Sequence, residues 1–226
     1  MSAQKILIAD DEKDILDLLE YNLEKGGYEV LRANSGKEVL DLVKDQSPDL
    51  FLLDIGMPDI DGIQLCYQLK EMSQHKTSII AFLTAKLEEY VEVAAFEAGA
   101  DDFIIKPIKP RALLARIRNL FKRTYTKVAE RAELKIFDLK ISPDSYTVSH
   151  AGDEFSLSKL EFDLLYFLAS HPGKVYSREQ LLSSVWPDTI VQLRTIDVHI
   201  RKLRKLIGKT YIDTVKGVGY KFKTNR

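Results

Sequence analysis

Over the first 122 residues short apolar runs alternate with amphipathic segments, and this alternation leaves few folds open. The runs KILIA (5–9), YEVLRA (28–33), DLFLLD (49–54), SIIAFL (78–83) and DDFII (101–105) have the length and content of buried or half-buried strands. Segments with helical spacing follow each of them, at 14–25, 37–44, 61–72, 87–98 and 110–122. Gly26-Gly27, Ser47-Pro48 and Gly99 punctuate the pattern, and Pro110 suits the first turn of a helix. Strands that alternate with helices in this way form a parallel sheet covered on both faces, joined by right-handed crossovers. The expected fold of residues 1–122 is therefore an α/β, (βα)5 doubly wound parallel sheet.

Open sheets of this kind bind ligands at the carboxyl ends of their strands. Here those ends carry Asp10 and Asp11, Asp54, Thr84, and Lys106 before Pro107. Three carboxylates at one edge repel one another unless a cation lies among them. Ligation by oxygen alone suits Mg2+, which takes one or two carboxylates together with a phosphate. A carboxylate also attacks phosphorus to give an acyl phosphate, a reaction that needs mainly charge neutralisation and positioning. Each residue alone has an ordinary reading as a cap, a turn former or a solvated charge. Their convergence at the ends of successive strands is what singles out phosphoryl chemistry.

The stretches ILIADDE, LFLLDIGMPDIDG, FLTA and GADDFIIKPIKP, in this order and spacing, make residues 1–122 resemble the receiver domain of bacterial two-component response regulators. The resemblance implies that Asp54 accepts a phosphoryl group from a sensor histidine kinase. It implies that Asp11, Asp54 and the Gly56 carbonyl bind Mg2+, with Asp10 acting through metal-bound water. Lys106 would pair with the phosphoryl oxygens, Thr84 would turn towards them, and Phe103 would be the aromatic switch. A phosphatase built on a strand-end Asp would want a second Asp two residues later, where this chain has Gly56. The family's dimer on activation uses crossed ion pairs, for which Asp102 with Arg116 and Glu97 with Arg118 are available. Glu92 stands where a base is usual there, and Ala112 where an acid is usual.

The net charge of −1 conceals a split: residues 1–122 sum to −7 and residues 123–226 to +6, with +8 in 194–226 alone. A basic segment of that density favours a polyanion, nucleic acid first. No apolar run approaches the ~20 residues needed to cross a bilayer, and one cysteine, Cys66, cannot form an internal disulfide. The expected location is cytoplasmic, with no membrane partner. Residues 123–130 read as a short polar linker, and 131–226 as an α+β domain. Short strand-like segments at 134–142, 146–151 and 154–158 precede helices opened by the capping boxes Ser158/Glu161 and Ser177/Gln180. In TIDVHIRKLRKLIG (195–208), Ile196, Ile200, Leu203 and Ile207 form one apolar face. Val198, Arg201, Lys202 and Lys205 fall largely off it. A helix with a basic outer face suits a DNA major groove.

LSKLEFDLLYFLASHPGKVYSREQLLSSVW, RTIDVHIRKLRKLIG and YIDTVKGVGYKF resemble the winged-helix effector domain of the OmpR/PhoB subfamily. The resemblance implies a transcription regulator that binds double-stranded DNA and is not an enzyme. Val198 and Lys202 would contact bases, Arg194, Thr195, Arg201 and Arg204 phosphates or groove edges, and Lys216 the minor groove from the wing. RNA polymerase is the further partner implied for the loop 187–193, which is about one residue short. Lys202 and Lys216 stand where arginine is common, and lysine does not fork bidentately. Gly56 also departs from the family, which usually has a larger side chain there. We expect Gly56→Met to slow hydrolysis of the acyl phosphate by keeping water from it, followed as loss of the phosphoryl mass with time. Equal rates for the two chains would remove Gly56 from any role in phosphoryl lifetime.

Overall fold

The protein is described here by a computed structural model covering residues 3–75, 77–85, 88–128, 131–187 and 193–224, with the side chains of 122–128 and 156 outside the description. The chain divides into two compact units, Met1–Thr124 and Tyr125–Arg226.

The first unit runs β1 (Lys5–Ala9), α1 (Lys13–Lys25), β2 (Glu29–Ala33), α2 (Gly36–Leu42), β3 (Leu50–Asp54), α3 (Gly62–Glu71), β4 (Ile79–Thr84), α4 (Glu89–Ala98), β5 (Asp102–Ile105) and α5 (Pro110–Val128). The strands form one parallel sheet in the order β2-β1-β3-β4-β5. The order reverses direction at β1, which places the ligand-binding crevice of such a sheet at the ends of β1 and β3. Alternation along each strand sends Ile6, Ile8, Leu50, Leu52, Ala81, Leu83 and Ile104 to one face. There they pack on Leu16, Leu19 and Leu23 of α1 and on Leu113, Ile117, Leu120 and Phe121 of α5. Phe103 points to the other face, tilted on Phe82 and edge-on to Phe96 of α4. Helix α5 continues to Val128 instead of ending near residue 122, so its backbone covers most of the segment expected to be linker; residues 129 and 130 lie outside the described residues.

The second unit opens with an antiparallel sheet in the order β6-β7-β8-β9, formed by β6 (Leu134–Ile136), β7 (Leu139–Ser142), β8 (Thr147–His150) and β9 (Asp153–Ser156). The segment 134–142 is two strands instead of one, turned at Phe137, whose φ of 57° is left-handed. Three helices follow: α6 (Lys159–Ala169), α7 (Arg178–Val185) and α8 (Thr195–Ile207). Both expected capping boxes form, Ser158 with Glu161 on α6 and Ser177 with Gln180 on α7. The final hairpin of β11 (Ile212–Val215) and β12 (Gly219–Phe222) is joined by β10 (Tyr176–Ser177) in the order β10-β12-β11. The sequence pattern missed β10 because two residues carry no periodicity. Its close approach explains Gly219, where a Cβ would overlap the backbone of Tyr176. The unit is a winged helix with a core of Phe162, Leu165, Leu168, Leu181, Trp186, Ile196, Ile200, Leu203 and Phe222.

Gly62 fixes how closely α3 approaches the end of β3. A Cβ at Gly62 would overlap the Asp54 carbonyl oxygen and lie 3.0 Å from the Ile55 Cα. Neither backbone atom belongs to a flexible side chain, so the helix must move. Gly62→Ala is therefore expected to cost about 1–3 kcal/mol of unfolding free energy, measured by denaturant titration. A midpoint equal to wild type would show that this approach is loose.

Candidate functional site

At the carboxyl edge of the sheet, Asp10, Asp54 and Lys106 meet. The Lys106 ammonium lies 2.8 Å from Asp10 Oδ2 and 2.8 Å from Asp54 Oδ1, with Glu12 Oε1 at 3.2 Å. Parallel registers bring these groups together: Ala9 lies opposite Leu53, Asp54 opposite Leu83, and Thr84 opposite Ile105. The Lys106 amide also donates to the Thr84 carbonyl at 2.8 Å, which anchors the end of β5. Asp10 is fully buried and Asp54 is 7% exposed. Asp10 Oδ1 accepts the Glu12 amide at 3.0 Å, and Asp54 Oδ2 accepts the Gly56 amide at 2.5 Å. Burial pushes the Asp10 carboxyl above its ordinary range, against the hydrogen bonds from Lys106 and the Glu12 amide. Burial also opposes the charge on Lys106, but its hydrogen bonds to Asp10 and Asp54 outweigh it and hold the ammonium more strongly protonated than an ordinary lysine.

Asp11 is exposed beside this cluster and lines a cleft of about 530 Å3 with Lys13, Arg32, Asn34 and Glu38. Among the described residues no three carboxylates converge at metal-ligand spacing. Lys106 takes the cation's place between Asp10 and Asp54. The donor set is nevertheless oxygen-only, as Mg2+ requires. Gly56 is exposed, and a Cβ there would lie 3.2 Å from Asp54 Oδ2, so a larger residue would crowd the carboxylate itself. Thr84 is buried at the end of β4, and Phe103 is buried against Phe82 and Phe96. Asp59 was missed by the sequence reading. Its carboxylate accepts the Gly36 and Lys37 amides at 3.0 and 2.9 Å, tying the loop after Asp54 to the start of α2. Chiefly the Lys37 amide bond lowers its carboxyl to about 2.

Of the residues expected to pair between protomers, Asp102 and Arg116 are joined within the chain. Asp102 is buried and takes a bidentate bond from Arg116 of the same chain, at 2.6 and 2.9 Å. The fork geometry satisfies both oxygens within one unit, so this pair is an internal brace between β5 and α5. Glu97 and Arg118 are exposed, and Arg118 bonds the Leu114 carbonyl. Glu92, which stands where a base is usual in the family's dimer, is buried on α4, 1% exposed.

In the second unit the expected DNA contacts separate into two groups. Arg194, Arg201 and Lys216 are exposed. Thr195 and Val198 are 1% and 6% exposed, so Val198 does not fall off the buried face as its spacing suggests. The first turns of α8 pack on both α6 and α7, and Thr195, Ile196, Val198, His199 and Ile200 are all buried there. Arg204 donates to the Ile212 carbonyl and to Thr214 Oγ1, at 2.8 Å each from Nη2, and so joins α8 to β11. Lys202 forms an ion pair with Glu161 of α6. The sequence pattern found Glu161 only as a capping residue. Its Oε2 indeed accepts the Ser158 amide at 3.0 Å, but Oε1 faces Lys202, with His199 Nδ1 at 3.9 Å. Asp197 gathers Arg178 of α7 and the Tyr220 hydroxyl of β12, each at 2.7 Å. The loop 188–192 lies outside the described residues, and with it most of the expected polymerase-contacting segment.

Comparison with known proteins agrees with this division. The family described as the response regulator receiver domain matches residues 6–118, and the family described as transcriptional regulatory protein, C terminal, matches 152–222. A solved mutant of RitR is similar over 99% of this chain and 100% of its own, at 28% identity and TM-score 0.80. The response regulator DrrB of Thermotoga maritima, an OmpR/PhoB homolog, is 33% identical over 98% of this chain and 100% of its own, with TM-score 0.52. A putative response regulator from Chloroflexus aurantiacus is 38% identical over 53% of this chain and 98% of its own, with TM-score 0.51. Among the described residues no helix is long and apolar enough to cross a membrane.

His199 gives the second unit a defined response to acid. It is fully buried beside Trp186, and burial lowers its pKa to about 4 although Glu161 pulls the other way. The unfolded imidazole titrates near 6.5, so between these values the unfolded chain binds more protons. Stability from this group is complete above about pH 6.5 and is lost as the pH falls towards 4, by on the order of 3 kcal/mol. Urea unfolding followed by Trp186 emission is expected to show this loss in wild type and a shallower one in His199→Asn. Parallel profiles for the two chains would contradict it.

Proposed function

Since the chain belongs to the response regulators that join a receiver domain to an OmpR/PhoB-type winged-helix DNA-binding domain, we propose that Asp54 is its phosphoacceptor and that phosphorylation promotes dimerisation and promoter binding. The family is one of DNA-binding transcription regulators in two-component signalling, and not of enzymes. The observation that carries the reading is the Lys106 ammonium held 2.8 Å from both the Asp10 and Asp54 carboxylates at the ligand-binding edge of the sheet.

The phosphodonor is a phosphohistidine of a sensor histidine kinase. An Asp54 carboxylate oxygen attacks phosphorus, a P–O bond forms, the P–N bond breaks, and the imidazole leaves. Lys106 is placed to follow the phosphoryl oxygens, since it already bonds Asp54. Thr84 ends the neighbouring strand, in reach of a rearrangement at this edge. Asp11, Asp54 and the Gly56 carbonyl would hold Mg2+, with Asp10 in support. When bound, the metal supplies neutralisation of charge on the phosphoryl oxygens. Phe103, buried between Phe82 and Phe96, is the group whose repacking would carry the change to α4 and β5. A dimer on the α4, β5 and α5 face would use Glu97 and Arg118. It would use Asp102 and Arg116 only after their internal bond exchanged. Two winged helices in one dimer raise the effective concentration for the second half-site. Arg194, Arg201 and Lys216 are the exposed cations that would meet DNA, and RNA polymerase is a further partner for the loop before Leu193.

Wild type and Asp54→Asn, incubated with Mg2+ and a small phosphodonor, separate the steps by intact mass and solution mass. A phosphoryl adduct on wild type alone, with a shift towards dimer, is the expected result. An adduct on both chains would move the acceptor elsewhere. An adduct without a mass shift would remove dimerisation in solution from the proposal.

A further inference from the structure

Lys202 lies on the helix that the DNA-binding reading places in the groove, yet the structure commits it to a partner inside the protein. Glu161 is 4% exposed, and its carboxylate sits beneath α8. One oxygen accepts the Ser158 amide and closes the cap of α6; the other meets the Lys202 ammonium. His199 is the other titratable group facing that oxygen, at 3.9 Å. With its pKa lowered to about 4 by burial, it is a neutral imidazole near pH 7 and supplies no charge there. Glu161 itself is held below the ordinary carboxylate range: burial opposes its charge, but the Lys202 ammonium chiefly, with the hydrogen bonds from Lys202 and the Ser158 amide, outweighs burial. Withdrawing Lys202 towards a phosphate would leave a buried, ionised carboxylate without its cation, which is strongly unfavourable.

We propose that Glu161 is a positioning residue for DNA recognition: its buried carboxylate holds the Lys202 ammonium on the protein side of α8. One cation of the recognition helix is thereby withheld from the phosphate backbone, and contact with DNA is left to the exposed Arg194 and Arg201. The proposal rests on the DNA-binding reading of this unit. Phosphate contacts raise affinity for every sequence alike, whereas base contacts distinguish sequences. Withholding Lys202 therefore lowers affinity and salt dependence for every duplex alike, and leaves discrimination to the base contacts. Glutamine at 161 tests the charge alone, because a capping box accepts Gln as well as Glu and the bond to the Ser158 amide is retained.

The experiment measures binding of the full-length wild type, Glu161→Gln and Glu161→Gln/Lys202→Gln to a random duplex and to a duplex that wild type selects from a random pool. Trp186, packed 5.2 Å from His199, reports by its emission whether α8 stays docked in each chain. With Glu161→Gln the freed lysine gains one phosphate contact. The dependence of log K on log salt on random DNA then steepens by ~0.9, an extra loss of about 3-fold between 50 and 200 mM salt. Affinity for the random and the selected duplex rises by a similar factor at low salt, and both changes disappear in the double variant. A structural role alone would weaken binding without steepening the salt slope. An unchanged slope in Glu161→Gln, or a steeper slope that persists in the double variant, overturns the proposal. A measurement on unaltered protein stands beside the variants: amine acetylation read by mass spectrometry. Lys202 is expected to react several-fold more slowly than the exposed Lys205. Equal rates would overturn the proposal. Failure of wild type to select any duplex would instead overturn the DNA-binding reading beneath it.

Discussion

Two carboxylates that end neighbouring parallel strands cannot both be ionised in a buried site without a cation, and Lys106 is that cation. Its ammonium, 2.8 Å from Asp10 and from Asp54, lets the edges of β1 and β3 lie side by side. Much of the first unit is arranged to deliver it. The five-stranded parallel sheet lines up the strand ends, and the Lys106 amide is bound to the Thr84 carbonyl. Asp59 pins the loop after Asp54 to α2, while Gly62 lets α3 start against the Asp54 carbonyl. The same arrangement makes the site responsive. A phosphoryl group on Asp54, as proposed, would add negative charge where the lysine is already shared and would reset the balance among Asp10, Asp54 and Lys106.

The second unit uses buried charge differently, to lock helices together. Asp163 of α6, 3% exposed, is paired with Arg131 at 2.6 Å, and the Arg131 guanidinium also lies over the Tyr166 ring. Glu161, two residues earlier, faces Lys202 of α8. Asp197 of α8 binds Arg178 of α7 and Tyr220 of β12. Glu161 and Asp197 each join separate elements and Asp163 ties α6 to the segment before β6, and each fixes an arginine or lysine that by sequence alone belongs to a general basic surface. Positive charge on this unit is of two kinds: side chains that brace α8, such as Lys202 and Arg204, and side chains that remain exposed, such as Arg194, Arg201 and Lys216.

Local patterns revealed most of the architecture. Strand and helix alternation in 1–122, the acids and lysine at strand ends, both capping boxes and the apolar face of α8 were all legible, because each depends on residues close in sequence. The structure changed what depends on distance. Helix α5 extends to Val128. The segment 134–142 folds back at Phe137, and β10 exists only because β12 pairs with it.

The sequence by itself determined that a doubly wound receiver precedes a winged helix, and that Asp10, Asp54 and Lys106 share an edge. Strand order of this kind brings strand ends together whatever the side-chain details. Only the tertiary structure decided which charges face solvent and which are spent inside. Asp102 and Arg116 carry no mark of being an internal pair, nor do Glu161 and Lys202, separated by forty-one positions in the chain. An ion pair across that distance depends on how α6 and α8 pack, and packing is fixed by the shared core of Phe162, Leu165, Ile200 and Leu203, not by the charged residues themselves.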